Sequence, residues 1–540
     1  MQLAGLASNR GRNLRHLHDR APGGATLGVV VSNAADAPIV DWADAHGVPT
    51  EVVVRSDDES RRAHESRIVE ALADYPIDLV CLDGYMRVLS ETFLDAMPTT
   101  LNVHPSLLPA FPGMDAWAEA LEAGVAVTGC TVHVVTNAVA PDGSVIEADM
   151  DAGPIVTQEA VPVYADDDRA SLKERVLHDG EFRAYPRAVG WFADGAVSVD
   201  AETNRVQVAS DTAERFPVRR VVSHGKRREL RYGENPHQAA AVYMDPAASG
   251  ASVVDADQLN PGAKALSYNN YNDADAALAL VHEFEAPAAA VIKHANPAGC
   301  AVADTAVAAY DRALSTDAMS AFGGIVAINR TCDVPTAERI VDSYKEVVLA
   351  PGYTDDAVAI LREREDLRVL DVGDLRVTTD PDTDTVEKAL AGGRLVQDRD
   401  DGAVDVADLE VVTERTPTEQ ELETMAFAWP VVKHVKSNAI VLAAGTQTVG
   451  VGMGQVSRVD AVRLATMKAS EDAEGKGPDG AVMASDAFFP FPDGVVVAAE
   501  AGVAAVVQPG GSVKDDEGIE AADDHNMAMA FTAQRAFRHS

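Results

Sequence analysis

Short apolar runs that end in polar or glycine-rich residues recur through the first third of the sequence. Residues 27–31 and 77–82 are two such runs, and residues 131–135 form a third that is rich in β-branched side chains. Helical patterns lie between the runs. Since strands that alternate with helices favour a mostly parallel sheet with helices on both faces, this part of the chain is predicted to be α/β. Ligands of such sheets bind beyond the carboxyl ends of the strands.

The rest of the chain returns to this alternation after an interruption. Its expected strands are residues 288–292, 325–328, 439–442, 481–484 and 503–507. The pattern weakens near residues 201–225, where a basic stretch begins at Arg219. We therefore predict an N-terminal domain over residues 1–203, a linker over 204–225 and a C-terminal domain over 226–540.

Acidic residues outnumber basic ones along the whole sequence. Asp and Glu total 85 against 45 Lys and Arg, which gives a formal net charge of −40. Such a surface repels nucleic acid and anionic membranes, so neither is an expected partner. Because the acidity is spread rather than confined to a tail, it favours a folded protein adapted to high salt, where screening removes the self-repulsion. An ordinary acidic enzyme is the alternative.

The four cysteines do not form a metal-binding pattern. No two of Cys81, Cys130, Cys300 and Cys332 stand in a CxxC spacing, so we expect no Cys/His metal site. Three of them lie in apolar or glycine-rich surroundings, which is typical of buried thiols in a reducing cytoplasm. The sequence has no apolar run of bilayer length and begins without a signal-peptide pattern, so a cytoplasmic location is expected.

Asn102 and His104 belong to the densest polar cluster of the sequence, Asn-Val-His-Pro-Ser-Leu-Leu-Pro over residues 102–109. Two residues apart in an extended chain, they face the same side. An amide next to an imidazole suits acyl transfer, because the amide can stabilise an oxyanion while the imidazole handles an amine proton. A turn in which both side chains cap backbone groups is the alternative that the spacing leaves open.

The cluster resembles the signature of the folate-dependent formyltransferases. The similarity continues in Gly-Tyr-Met-Arg-Val-Leu-Ser at 84–90, Gly-Cys-Thr-Val-His at 129–133, Asp-Ala-Gly-Pro-Ile at 151–155 and Trp-Phe-Ala-Asp-Gly at 191–195. It covers about residues 1–200 and is strongest toward the glycinamide ribonucleotide (GAR) branch. The resemblance implies a formyltransferase-type, mostly parallel sheet flanked by helices, which transfers formyl from 10-formyltetrahydrofolate to GAR.

The same resemblance implies roles for individual residues. Asn102, His104 and Asp151 form the implied catalytic set, in which Asn102 holds the oxyanion and Asp151 orients and charge-stabilises His104. Glu181 is implied to bind the glycinamide portion of the substrate. The residues implied to line the pterin pocket are Met86, Arg87 and Leu89.

A loop near the N-terminus is expected to bind the substrate phosphate. Residues 8–14 follow a short strand and open a helix, and a helix N-terminus attracts phosphate, so Gly11, Arg12 and Asn13 are the expected ligands. The loop departs from the family pattern, with Asn9 in place of the usual Gly and Arg12 in place of the usual Ser. Arg12 could bind phosphate directly. An insertion at about residues 138–148 is a further departure, as is the absence of a His where residues 115–117 stand.

Lys293 and His294 end an apolar run in the second half of the chain. A cation beside an imidazole can position a phosphate-bearing substrate and deprotonate a weak amine. Neighbouring residues of a strand point to opposite sides, so both serve one site only if the strand has ended, and the following Asn-Pro-Ala-Gly supplies such an ending. An exposed Lys beside a core His is the alternative.

Seven further motifs accompany this pair, and in order they resemble the aminoimidazole carboxamide ribonucleotide (AICAR) formyltransferase domain over about residues 226–540. They begin at Leu230, Leu266, Ser320, Val432, Gly452, Ser485 and Gln508. The resemblance implies two cytidine-deaminase-like α/β/α subdomains that transfer formyl to AICAR. Lys293, His294 and Asn438 are the implied catalytic residues, and Asp493 is implied to meet the folate. The implied nucleotide ligands are Arg231, Asn270, Phe322, Gly323, Glu346, Arg458, Phe488 and Arg535.

The resemblance carries three further expectations. In the AICAR formyltransferase family the active site lies between two subunits, so a homodimer is implied. Members of the family can also hold a monovalent cation near the position of Asp486. The GAR-type region stands where the usual enzyme has a cyclohydrolase domain, so we expect no closure to inosine monophosphate. Two alternatives stay open for the N-terminal region, which are a formyltetrahydrofolate hydrolase and a folate-binding module. A tRNA formylase is disfavoured by the acidic charge.

Overall fold

The protein divides into two units, Met1–Arg220 and Val221–Ser540. The computed structural model describes residues 1–200, 203, 205–209, 216, 220–245, 250–375, 385–400 and 402–539. Much of the predicted 204–225 linker, Arg219 included, lies outside the described residues. The three predicted domain boundaries therefore remain a prediction.

The first unit is built on a seven-stranded sheet in the order β3-β2-β1-β4-β5-β6-β7. Pairing is parallel from β3 through β5, and β6 and β7 then continue antiparallel. The strands are β1 (Gln2–Leu6), β2 (Thr26–Ser32), β3 (Thr50–Val52), β4 (Leu79–Leu82), β5 (Thr100–His104), β6 (Val127–Val134) and β7 (Ile155–Pro162), followed by a hairpin of β8 (Val197–Asp200) and β9 (Arg205–Val208).

Helices cover this sheet and bury two apolar clusters against it. They are α1 (Arg12–Arg20), α2 (Pro38–Ala45), α3 (Arg61–Leu72), α4 (Glu91–Leu94), α5 (Ala116–Glu122), α6 (Arg169–Arg175) and α7 (Phe182–Ala193), with 3-10 turns at Pro22–Gly24 and Glu147–Asp149 and a π-helical segment, Val176–Glu181, between α6 and α7. The predicted α/β fold is thus confirmed for this unit.

The order of the strands places a crevice at the carboxyl edge of the sheet. The chain moves from β1 outward to β2 and β3, and then returns past β1 to β4 and β5. The connections after β1 and β4 therefore leave in opposite directions, which opens the usual ligand-binding crevice of an α/β sheet. The predicted phosphate loop follows β1, the predicted pterin residues follow β4, and Asn102 and His104 end β5.

The second unit contains two six-stranded sheets of matching topology. Their orders are β12-β17-β16-β15-β13-β14 and β20-β25-β24-β23-β21-β22, so each strand of the first sheet has a counterpart eight positions later. The strands are β12 (Asp257–Gln258), β13 (Ala288–Lys293), β14 (Asn296–Val302), β15 (Ile325–Ile328), β16 (Val347–Ala350), β17 (Arg368–Asp371), β20 (Glu410–Val411), β21 (Ile440–Ala443), β22 (Thr448–Gly452), β23 (Val482–Ser485), β24 (Ala505–Gln508) and β25 (Ala528–Phe531).

Helices and two separate hairpins complete the second unit. The helices are α8 (Tyr268–His282), α9 (Ala306–Leu314), α10 (Val334–Val341), α11 (Asp355–Arg362), α12 (Glu419–Lys433), α13 (Arg458–Glu471), α14 (Asp493–Glu500) and α15 (Asp515–Asp524), with a 3-10 turn at Val406–Asp408. The hairpins are β10 (Gly225–Leu230) with β11 (Ala240–Met244), and β18 (Thr385–Leu390) with β19 (Gly393–Asp398).

The two sheets of the second unit meet along β14 and β22. The backbone of Cys300 donates to Thr448 Oγ1 at 2.9 Å, and Thr316 Oγ1 donates to the Thr448 carbonyl at 2.7 Å. Ala301 and Gln447 add a backbone bridge beside them. The predicted α/β class is confirmed here as well, whereas the likeness to cytidine deaminases remains a prediction. In the described part of the chain, no helix is both long and apolar enough to cross a membrane.

Candidate active sites

The structure brings Asn102, His104 and Asp151 together in the first unit. His104 Nδ1 lies 3.3 Å from Asp151 Oδ2. On the opposite side of the ring, Nε2 lies 2.9 Å from the carbonyl oxygen of Phe111. Both ring nitrogens thus face hydrogen-bond acceptors, which fix the orientation of the ring. A ring held in this way by a carboxylate can give or take a proton without turning.

His133 joins this cluster, although the sequence analysis assigned it no role. It lies on β6 directly opposite Asn102, and its Nε2 is 3.2 Å from Asn102 Nδ2. Burial lowers the pKa of His133, so its ring is neutral and its bare Nε2 accepts the Asn102 amide. Its 3.6 Å approach to Asp151 Oδ1 is then not an ion pair. The signal was its place in the 129–133 motif, but only the strand pairing shows its partner.

Asp151 sits in a strained backbone position at the end of the predicted insertion. Its φ is 57°, in the left-handed region that non-glycine residues seldom adopt. The Gly113 N–H, at 3.2 Å, helps to hold its Oδ2. Within the insertion, Val139 pairs with Val145, and Arg62 on α3 donates to the Pro141 carbonyl at 3.1 Å. The insertion therefore folds back on itself and leaves Asp151 against His104.

Several backbone N–H groups of the predicted phosphate loop already have acceptors within the protein. Gly11 N–H donates to Asn9 Oδ1 at 3.1 Å, and Asn13 N–H donates to Asp83 Oδ2 at 2.8 Å. Leu14 N–H also faces Asp83 Oδ2, at 3.4 Å. A buried carboxylate thus occupies part of the α1 N-terminus, and the binding of phosphate by Gly11, Arg12 and Asn13 remains a prediction.

Arg12 and Glu181 lie on either side of this loop. The Arg12 guanidinium contacts Glu174 at 2.9 Å, and both side chains are partly exposed, so a phosphate can compete for it. Glu181 ends the π-helical segment and is buried, and its Oε2 accepts the Asn13 side-chain amide at 2.6 Å. Burial raises the pKa of Glu181 to about 7.

The predicted pterin residues fall into two environments. Met86 and Arg87 are exposed after β4, and the Met86 N–H donates to Ser8 Oγ at 2.9 Å. Leu89 instead belongs to the buried apolar cluster that contains Leu72 and Phe93. The first two are open to a ligand, while Leu89 supports the loop from within the core.

Lys293 and His294 sit where β13 ends, as the sequence predicted. His294 has a φ of 54°, so the chain turns out of the strand at this residue. Asp273 on α8 fixes the turn, because its carboxylate accepts the N–H groups of His294 at 3.1 Å and Ala295 at 2.8 Å. Lys293 Nζ donates to the Phe322 carbonyl at 2.9 Å.

Both side chains line a cavity of about 370 Å³. Across it lie Asp317 and Lys468, whose charged groups are 2.9 Å apart and which sequence reasoning missed. Asp317 Oδ1 also accepts the Ser320 N–H at 2.8 Å. This pair therefore supports the loop that leads to Phe322. The cavity has both charged and apolar walls, which suits a small organic substrate.

Asn438 and Arg458 form a second polar cluster in this unit. Arg458 donates to Asn438 Oδ1 at 2.7 Å and to Asp486 Oδ1 at 2.6 Å. Asn438 Nδ2 in turn donates to the carbonyl of Gln455 at 2.9 Å. The other Asp486 oxygen accepts the Ser437 hydroxyl. Both Asp486 oxygens thus have protein partners, and the monovalent cation near Asp486 remains a prediction. Among the described residues, no group of His, Cys, Asp and Glu has a metal-binding arrangement.

Four of the remaining predicted nucleotide ligands contact one another in pairs. Asn270 donates to Glu346 Oε2 at 2.9 Å, and the Arg535 guanidinium lies 5.1 Å from the Phe488 ring centre. Arg231 is exposed, and its guanidinium donates to the Tyr232 hydroxyl at 2.9 Å.

Two further predicted nucleotide ligands and the predicted folate residue remain. Phe322 is 59% exposed, and Gly323 beside it has a φ of 72° that favours glycine. Asp493 is exposed at the start of α14. These residues are open to ligands, and their roles remain predictions.

The cysteines take no part in either cluster. All four are buried and unpaired. Burial raises the pKa of the Cys81 and Cys332 thiols to about 12 and raises that of Cys130 and Cys300 as well. They are therefore protonated and poor nucleophiles at neutral pH.

Comparison with known families also divides the chain into two regions. Residues 1–189 match the formyl transferase family, and residues 194–468, just over half of the chain, match the family described as the AICARFT/IMPCHase bienzyme. The chain belongs to the AICARFT/IMPCHase bienzyme family. It joins a formyl transferase region to that region, as the motifs predicted.

Individual relatives are similar to part of the chain. A protein from Sinorhizobium medicae strain WSM419, named bifunctional purine biosynthesis protein PurH, is 48% identical over 370 residues, and one of the same name from Sinorhizobium fredii is 47% identical over 372. Each match covers 66% of this chain and 66% of the relative, so the chain spans slightly less than two thirds of either protein.

Solved structures similar to the chain include two enzymes of the GAR branch. Glycinamide ribonucleotide transformylase 1 from Symbiobacterium toebii is 39% identical with a TM-score of 0.35, and the match covers 39% of this chain and 94% of that one. Phosphoribosylglycinamide formyltransferase from Brucella melitensis is 40% identical with a TM-score of 0.32, covering 36% and 97%.

Proposed function

We propose that this chain transfers formyl groups to two amines of purine biosynthesis, GAR in the first unit and AICAR in the second. The observation that carries the proposal is that each unit holds its own cluster suited to acylating an amine. His104 with Asp151 and Asn102 forms the first cluster. Lys293 and His294 beside one cavity form the second.

In the first unit, the GAR amine attacks the formyl carbon of 10-formyltetrahydrofolate. The new carbon–nitrogen bond forms, the bond from the formyl carbon to N10 breaks, and one proton passes from the amine to N10. Asn102 donates to the developing oxyanion through its second amide hydrogen, since the first is held by His133. His104 moves the proton, and Asp151 stabilises its charged ring.

In the second unit, the same exchange joins formyl to the weakly nucleophilic ring amine of AICAR. His294 is exposed to the cavity and accepts the amine proton. Lys293 stabilises the charge on the transferring formyl group. Arg458 and the Gln455 carbonyl fix the orientation of Asn438, which steers the carboxamide.

The wider expectations belong to the same proposal. The protein is a cytoplasmic homodimer that dimerises through its second unit, and it does not close formyl-AICAR to inosine monophosphate. The comparisons lend no support to the alternative of a hydrolase or folate-binding module in the first unit.

The test is the release of tetrahydrofolate from 10-formyltetrahydrofolate by the full chain, with GAR, with AICAR and with neither. Release with each nucleotide, and none without an amine, is expected. Release without an amine would establish a hydrolase instead, and release with AICAR alone would remove the GAR half of the proposal. Inosine monophosphate formed from formyl-AICAR by the pure protein would contradict the absence of cyclisation.

A further inference from the structure

Asp83 is a buried carboxylate that the catalytic proposal does not use. It follows β4 directly, is 8% exposed, and its own N–H donates to the Leu6 carbonyl at the end of β1. Its carboxylate faces the first turn of α1 and accepts the backbone N–H groups of Asn13 and Leu14. The positive end of the helix therefore stabilises its charge.

The Asn13 side chain links Asp83 to Glu181. Its amide nitrogen donates one hydrogen to Asp83 Oδ1 at 3.2 Å and the other to Glu181 Oε2 at 2.6 Å. Asn13 is 2% exposed, and its amide oxygen is buried without a hydrogen-bond partner. Since a buried acceptor without a donor is costly, this oxygen is available to a hydroxyl or N–H of the substrate.

The hydrogen bonds divide unequally between the two acids. Asp83 accepts three N–H groups, which oppose the rise in its pKa that burial causes. Glu181 accepts one from Asn13, and burial raises its pKa to about 7, with the charge of Asp83 raising the pKa further. The other ionisable groups that face Glu181 are Arg12, Lys173 and the Cys130 thiol on β6.

We propose that Asp83 is a positioning residue for GAR, which acts through the Asn13 amide to hold Glu181 as a substrate ligand and to set the pH at which Glu181 binds. The proposal rests on the GAR transfer proposed above. Asp83 touches neither reactant, and its effect reaches the substrate through Asn13 and Glu181.

The test measures kcat and KM for GAR against pH in the full chain, for wild type and the variants Asp83→Asn, Asn13→Ala and Glu181→Gln. The wild type is expected to lose kcat/KM below about pH 7, and Glu181→Gln is expected to lose this acidic limb. In Asp83→Asn, removal of the neighbouring negative charge moves the limb to lower pH. In Asn13→Ala, loss of the hydrogen bond to Glu181 moves it to higher pH.

The two shifts in opposite directions distinguish positioning from a general loss of structure. Asp83→Asn should also raise the KM for GAR by roughly tenfold while leaving the KM for the formyl donor unchanged, because the Asn13 amide loses its charged acceptor. Glu65→Gln is the matched control, since Glu65 is buried in the same unit and accepts the N–H and hydroxyl of Ser90. The acidic decrease in kcat/KM of Glu65→Gln should lie at the same pH as in wild type.

Three results would overturn the inference. In the first, the acidic decrease in kcat/KM of Asp83→Asn lies at the same pH as in wild type. In the second, this decrease shifts equally in Asp83→Asn and Glu65→Gln. In the third, it shifts in the same direction in Asp83→Asn and Asn13→Ala. AICAR transfer by each variant reports that the chain is folded. If wild type itself does not use GAR, the proposed function fails, whereas a wild type that uses GAR with an unmoved limb defeats only the role of Asp83.

Discussion

At the scale of the residue, the hydrogen bond between Asn102 and His133 decides which way the Asn102 amide points. The His133 Nδ1 proton is held by the Val134 carbonyl at 3.2 Å, so Nε2 is left as an acceptor for Asn102 Nδ2. Without that acceptor, the amide can turn its oxygen toward the oxyanion, where it would repel the charge. His133 therefore orients the catalytic amide of Asn102.

His133→Phe keeps an aromatic ring at this position but removes the acceptor. We expect kcat for GAR to fall by roughly 10- to 100-fold, less than for full loss of an oxyanion donor, with a small change in KM. Steady-state kinetics with both nucleotides check this, and unchanged AICAR transfer serves as the internal control. A kcat for GAR within twofold of wild type would show that Asn102 needs no orienting partner.

The raised pKa of Glu181 makes the stability of the first unit depend on pH. Its pKa rises from 4.5 to about 7 on folding, so between these values the folded state holds a proton that the unfolded state has lost. The free energy of unfolding therefore decreases as pH rises through this window. Glu181→Gln removes the penalty and should stabilise the unit at pH 8 by at most roughly 3 kcal/mol, with little effect at pH 4.

Denaturant unfolding followed by tryptophan fluorescence measures this change, because Trp42, Trp117 and Trp191 lie in the first unit and only Trp429 lies in the second. Glu174→Gln is the control, since Glu174 is half exposed and its ion pair with Arg12 is worth no more than about 1 kcal/mol. A stabilisation of Glu181→Gln that is equal at pH 4 and pH 8 would exclude titration of Glu181 as the cause.

At the scale of the element, the apolar runs predicted the strands well. The predicted strand at 325–328 coincides with β15, and the one at 439–442 is displaced by one residue from β21 (Ile440–Ala443). The end of β13 at Lys293 also followed from the sequence, because Asn-Pro-Ala-Gly is a local signal. Such predictions succeed where neighbouring residues carry the information.

Apart from the contact of Asp151 with His104, which the family resemblance implied, the sequence did not predict contacts between distant elements. Asp83 meets Asn13 only because β4 pairs with β1, and His133 meets Asn102 only because β6 pairs with β5. Likewise, Asp317 and Lys468 belong to different halves of the second unit and come together across one cavity. Strand order and helix packing set these pairs, and no local spacing encodes them.

Close packing between β22 and α13 gives a prediction for the second unit. A Cβ at Gly452 would lie 1.9 Å from the Ala461 carbonyl oxygen, so Gly452→Ala must push α13 away from the sheet. Arg458 begins α13 and holds Asn438, so AICAR transfer should fall at least tenfold while GAR transfer is kept. Initial rates with both nucleotides measure this.

Gly518→Ala is the matched control, since a Cβ there contacts nothing within 4 Å and Ala is favoured in a helix by about 1 kcal/mol. It should leave both rates unchanged. Full AICAR activity in Gly452→Ala would mean that the position of α13 does not determine the orientation of Asn438.

At the scale of the whole molecule, two units with separate clusters share one strongly acidic chain. The net charge of −40 opposes compact structure through self-repulsion, and salt screens this repulsion. Activity is therefore best compared in concentrated potassium chloride. The catalytic residues of each cluster that contact one another all lie within one unit. The two transfers should accordingly be removable one at a time by substitution.

The measurement that tests this most directly is tetrahydrofolate release by His104→Ala and His294→Ala, each with GAR and with AICAR, in concentrated potassium chloride. We predict that His104→Ala loses the GAR-dependent rate by at least about 100-fold and keeps the AICAR-dependent rate, and that His294→Ala shows the reverse. If either substitution abolishes both rates, or if His104→Ala leaves GAR transfer intact, the chain does not contain two independent formyltransferases of the kind described.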